Sequence, residues 1–116
     1  MVSDETRRAL LAFRAEREWE QFHSPLNLAV AIAVEAGELL EQFQWRRPGD
    51  DGQRAGQEAA VAAEMADVAI LLTYLANDLG VDLEQAVRAK LAVNAERYPV
   101  ERARGRATKH DVLGQP

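Results

Sequence analysis

At 116 residues the chain has the length of one ordinary domain, enough to bury a core and too little for two. Hydrophobic residues make up 47% and charged ones 28%, which sets aside disorder and fibrous architecture, and the lack of cysteine removes disulfides, zinc-thiolate sites and thiol chemistry. The net charge of -5 repels polyanions, so no nucleic-acid polymer is expected as a partner, and an anionic substrate needs a bound cation or locally placed Lys and Arg.

The N-terminal residues Met1 to Arg8 carry acids and lack the apolar core of a secretory signal. No uninterrupted apolar run approaches the ~20 residues of a membrane span, so no membrane partner is expected and the cytoplasm is the expected compartment. The apolar pattern is helical throughout and no strand alternation competes with it. Helix one is predicted from Ser3, an N-cap, to near Glu20; Ser24-Pro25 then launches helix two, about Leu26 to Gln44. Arg46 to Gly52 is polar and turn-rich and forms the longest loop. Helix three spans about Gln57 to Leu79, with Gly80 suited to a left-handed cap, and Asp82 with Gln85 resembles a capping box for helix four, which runs to about Arg97 ahead of Pro99. The expected fold class is all-α, a four-helix domain over residues 1–98 followed by a basic, mobile tail over 99–116.

Chemistry concentrates on the two middle helices. Glu35 and Glu38 lie three apart on helix two, and Glu64 and Asp67 three apart on helix three, so each pair projects from one face beside an apolar stripe. Four carboxylates against low-dielectric surface repel one another, which favours raised pKa values or a divalent cation. Oxygen ligands without nearby His or Cys suit Mg²⁺, with Mn²⁺ as a substitute, and a di-iron redox bundle is weakened because neither histidine lies on helix two or three, where its Glu-x-x-His pairs are expected. Acids three apart on a helix are more commonly a solvated face, and spacing alone does not decide between the two.

On helix four, Lys90, Asn94 and Arg97 share a face that suits phosphate oxygens, although the same face also suits a stripe of side chains lying around the core. Trp19, Phe22, His23 and Trp45 cluster at helix ends. Such flat rings sandwich a nucleobase, whose polar edge His23 and Asn27 could read, or simply plug a core.

Taken together, Trp19 to Leu28, Val34 to Trp45, Glu64-Met65-Ala66-Asp67-Val68, Val81-Asp82-Leu83, and Lys90-Leu91 through Asn94 to Arg97-Tyr98-Pro99 resemble the MazG-like all-α nucleoside-triphosphate pyrophosphohydrolases, in particular the dCTP pyrophosphatase branch. The resemblance implies a four-helix MazG-like bundle assembled as a homodimer or homotetramer. It implies Mg²⁺-dependent cleavage of a deoxynucleoside triphosphate, dCTP or a modified dCTP favoured, to the monophosphate and pyrophosphate in nucleotide-pool control. It assigns Glu35, Glu38, Glu64 and Asp67 to the metal, and in a metal-assisted hydrolysis Glu35 or Glu38 is the expected catalytic base. Trp19, His23, Asn27 and Trp45 become the base pocket, and Lys90 and Asn94 contact the triphosphate with Arg97 beside them. The tail segment Ala103 to Lys109 resembles the family's basic C-terminal stretch. Leu71 stands where related sequences often carry tyrosine, a contact Tyr74 could supply, and His110 replaces a commonly aromatic position. The competing reading is a non-enzymatic helical interaction module with a solvated acidic face.

Overall fold

The computed structural model describes residues 1–45, 47 and 57–113, and among them there is no strand. The loop expected over Arg46 to Gly52 lies outside the described residues except for Arg47. The chain divides into two compact units, Met1–Val81 and Asp82–Pro116, so the sequence-based boundary at residue 98 falls inside the second.

In the first unit, helix α1 (Asp4–Glu16) starts as expected: the Ser3 hydroxyl accepts from the Thr6 N–H at 3.1 Å, and Asp4 and Glu5 complement the positive end of the helix dipole. It stops four residues earlier than the apolar pattern predicts. Glu18 takes a left-handed conformation (φ 55°) and Trp19–Phe22 forms one 3₁₀ turn. The break folds the Trp19 ring back edge-on to Phe13, at 5.7 Å between centroids, whereas in a continued helix the two would lie on different faces. The Arg17 guanidinium lies over the Phe13 ring, 3.6 Å from its centroid, and donates to the Phe13 carbonyl.

Helix α2 (Pro25–Glu41) is launched by Ser24, whose hydroxyl accepts from the Asn27 N–H, with Pro25 in the first turn where its missing N–H costs nothing. Three residues beyond Glu41 continue as tight turns, and Trp45 sits at φ 68°. Helix α3 (Gln57–Leu79) has the predicted bounds. It ends on Gly80 at φ 68°, with the Val81 N–H donating to the Ala76 carbonyl at 2.8 Å, a closure that glycine adopts without steric penalty.

Helix α2 packs chiefly on α3. His23, just before α2, meets Tyr74, while Glu35 further along meets Glu64 and Asp67, so the two helices run antiparallel. Helix α1 joins α3 through the Tyr74 hydroxyl, which donates to the Leu10 carbonyl at 2.9 Å, and through Arg14, which pairs with Asp78. Leu28 is fully buried, and Tyr74, Thr73 and Arg14 nearly so. Among the described residues, α3 is the one helix long and apolar enough to pass for a membrane span. Glu64 and Asp67, however, sit within it and face another carboxylate, an arrangement that hydrocarbon penalises heavily.

The second unit holds α4 (Leu83–Arg97), whose N-cap Asp82 accepts from the Gln85 N–H at 3.1 Å, and α5 (Val100–Ala103). The stretch after Pro99 has local structure of its own: a turn from Lys109 to Leu113, and His110 edge-on to Tyr98 at 5.9 Å. The substituted His110 thus takes up an aromatic contact.

Candidate active site

At ~100° per residue, Glu35 and Leu28 point to the α3 side of α2, whereas Leu26, Val30, Gly37 and Leu40 occupy roughly the opposite face. Packing of α2 on α3 therefore carries Glu35 into the seam, where it faces Glu64 and Asp67. One carboxylate oxygen from each of the three lies within 4.8 Å of the others. Glu38, one turn along α2, is outside that triad, but its charge acts on both Glu35 and Glu64.

Desolvation in the seam, followed by hydrogen bonding and repulsion from Glu38, pushes the Glu35 carboxyl up to about 7. Desolvation, followed by the charge of Glu38, also raises Glu64. The Oε2 atoms of Glu35 and Glu64 are buried and have no hydrogen-bond partner among the described residues. A freely solvated acidic face shows neither feature, since water would satisfy the oxygens and hold the pKa values near normal. Orphaned, mutually repelling, hard oxygen donors fit a divalent cation, which would satisfy the lone pairs and cancel the charge together.

Beside the triad lies a cavity of about 370 Å³ lined by Leu10, Phe13, Trp19, His23, Glu35, Asp67, Ile70, Leu71 and Tyr74. Its volume falls in the range of small-molecule pockets. Two acids thus share a wall with aromatic and aliphatic side chains. Trp19 and His23, predicted for a base pocket, are both in this lining. Asn27 and Trp45 are not: the Asn27 amide donates to the Phe22 carbonyl at 3.1 Å, and Trp45 is 84% exposed beyond the end of α2. Tyr74 reaches the cavity, and its hydroxyl donates to the Leu10 carbonyl. In the second unit, Lys90, Asn94 and Arg97 follow one another around α4 at the spacing of a shared face.

Sequence reasoning missed Arg14. It is 4% exposed and lies against Tyr74, His23 and Asp78 at the back of the cavity wall. The available signal was its place one turn beyond Leu10, in the inward stripe of α1, where a charged residue is out of pattern.

Fold and site together define an all-helical protein with a cation-competent carboxylate cluster at the edge of an aromatic cavity. Residues 30–113 match the MazG-like family, and the chain belongs to it. It is 46% identical over 113 residues to dCTP pyrophosphatase 1 of Rattus norvegicus and 43% identical over 113 residues to that of Homo sapiens, in each case over 95% of this chain and 66% of the relative. The crystal structure of a pyrophosphatase from Archaeoglobus fulgidus superposes with a TM-score of 0.75 at 39% identity, covering 83% of this chain and 91% of that one.

Proposed function

We propose that this protein hydrolyses a deoxynucleoside triphosphate, with dCTP or a modified dCTP favoured, to the monophosphate and pyrophosphate in a Mg²⁺-dependent reaction. The chain is a nucleotide pyrophosphohydrolase acting in nucleotide-pool control, and its place is the cytoplasm. The observation that carries this reading is the carboxylate triad of Glu35, Glu64 and Asp67, with two buried, unpartnered oxygens, opening onto an aromatic cavity. The names of the relatives support the substrate class.

Glu35, Glu64 and Asp67, with Glu38 adjoining, would hold Mg²⁺, and Mn²⁺ suits the same donors. When bound, the ion supplies charge that offsets phosphate repulsion and lowers the pKa of a nearby water. Glu35 or Glu38 is the proposed acceptor of the proton from the attacking water. Trp19, backed by Phe13, offers a flat surface to the base, and His23 offers a polar edge. Lys90, Asn94 and Arg97 complete the reading as phosphate contacts on the strength of their spacing on α4. A panel of nucleotides assayed for pyrophosphate release should show turnover with Mg²⁺ and none with chelator. Turnover unaffected by chelator would overturn the metal assignment.

The assembly is proposed to be a homodimer or homotetramer. Leu26, Val30, Val34 and Leu40 leave an exposed apolar stripe on α2, and burying it would supply roughly 1–2 kcal/mol per side chain, the part of the full transfer value that matches their exposed surface. Gly37 in the same stripe has open space around it, which allows close approach of another helix. Light scattering at micromolar concentration should report a species larger than one chain, and Val34→Glu should shift it toward monomer. A wild-type monomer would remove this part of the proposal.

A further inference from the structure

Behind the cavity wall, Arg14 of α1, His23 ahead of α2, and Tyr74 and Asp78 of α3 form a polar cluster, in which only the buried Arg14 Nε lacks a hydrogen-bond partner on the guanidinium among the described residues. The Arg14 guanidinium makes two parallel hydrogen bonds to Asp78, Nη1 to Oδ2 at 2.8 Å and Nη2 to Oδ1 at 2.7 Å. It stacks 4.6 Å over the Tyr74 ring, whose hydroxyl is anchored on Leu10, and Asn77 adds a donor to Asp78 at 3.2 Å. A fork held on both prongs and on its face cannot turn without losing several contacts at once.

The second hydrogen of Nη1 is the one that reaches His23 Nδ1, at 3.4 Å. A guanidinium only donates, so Nδ1 must accept, and in a neutral ring the proton then resides on Nε2. Among the described residues Nε2 has no partner, although His23 lines the cavity. Burial and the Arg14 charge both lower the His23 pKa, and Asp78 and Glu20 pull it the other way.

We propose that Arg14, clamped by Asp78, is the positioning residue of the base pocket: it fixes the His23 ring as the Nε2–H tautomer. The pocket thereby offers a donor that selects a base through a carbonyl acceptor on its edge, as on a pyrimidine. This deepens the nucleotide reading above and rests on it. The tautomer follows from the Arg14 contact, and the Tyr74 hydroxyl proton is already donated to the Leu10 carbonyl. The remaining lining is apolar, apart from Trp19 and the two acids.

The test begins with ¹⁵N spectra of the metal-free, nucleotide-free protein, which read the tautomer independently of activity. Wild-type His23 should show an unprotonated Nδ1 near neutral pH. The paired variant Arg14→Met/Asp78→Leu removes both charges while keeping volume, a change that cores commonly tolerate. It should mix the tautomers and raise KM for dCTP about tenfold, by more than it lowers kcat, as expected for a lost hydrogen bond to substrate. Arg14→Lys, which retains a donor, should lie nearer wild type. An Nδ1–H ring in the wild type, or a paired variant with unchanged tautomer and KM, would overturn the proposal. An Nε2–H ring in a protein that turns over no nucleotide would overturn the base-selection half together with the proposed function, leaving the hold of Arg14 on His23 standing.

Discussion

Replacing Glu35 by Gln should abolish pyrophosphate release and, in the same protein, raise the melting temperature of the metal-free form at pH 8. Both effects come from one carboxylate. In the fold Glu35 is raised from 4.5 to about 7, so the native state holds its proton more tightly than the unfolded chain does. The contribution of this group to stability is therefore most favourable below pH 4.5. It declines as pH rises through about 7 and stays at its lowest above that. Glutamine carries no charge at any of these pH values, and the penalty disappears with it. Activity falls for the complementary reason: a neutral amide neither balances a divalent cation nor accepts a proton, and a loss of about 10³-fold in kcat is expected. Mg²⁺ should stabilise the wild type at pH 8, by about 2.7 kcal/mol at a hundredfold excess over Kd, and should do little for the variant. Thermal melts with and without Mg²⁺, at fixed protein concentration, combined with the pyrophosphate assay, check all three. A variant that melts lower than wild type at pH 8 without metal, or that keeps wild-type turnover, would contradict the account of the triad.

The elements that the sequence made legible are those whose cause is local. Gly80 and the Asp82 N-cap are one- and four-residue signals, and the bounds of α3 and α4 follow from them. The early end of α1 was not legible, because nothing in Arg17-Glu18-Trp19 forbids helix; the break is stabilised by Trp19 meeting Phe13, a contact that exists only once the turn has formed. The carboxylates were half legible. Spacing of three put Glu35 with Glu38 and Glu64 with Asp67 on shared faces, but which acids face each other across the seam depends on the register of α2 against α3. That register brings Glu35 into the triad and leaves Glu38 outside it. Asn27 shows the reverse: a polar residue one turn into a helix after Ser-Pro has a ready local partner in the Phe22 carbonyl, which competes with any role in a pocket. Arg14 and Asp78 are 64 residues apart, and no spacing rule reaches that far.

That pair should also be the largest single point of stability outside the acidic site. Arg14→Ala leaves Asp78 without its bidentate partner and opens space against Tyr74. Breaking a buried ion pair costs roughly 3–5 kcal/mol, and because Asp78 keeps part of its surface in water the expected loss is about 2–3 kcal/mol. At fixed protein concentration that should lower Tm by on the order of 10 °C for a unit of this size. The pH dependence has the opposite sign to that of Glu35. The Arg14 hydrogen bond holds the Asp78 carboxyl below its ordinary 3.8, so its stabilisation is present above that value and is lost as pH falls through the lower folded value. Wild type and Arg14→Ala should therefore converge in stability in strong acid and separate above about pH 4. The paired Arg14→Met/Asp78→Leu protein should recover most of the loss near neutrality, because an apolar pair of similar volume needs no counter-charge. If Arg14→Ala melts within a degree or two of wild type at pH 7, the clamp adds little to the fold, and the hold of Arg14 on His23 would then have to rest on the tautomer measurement alone.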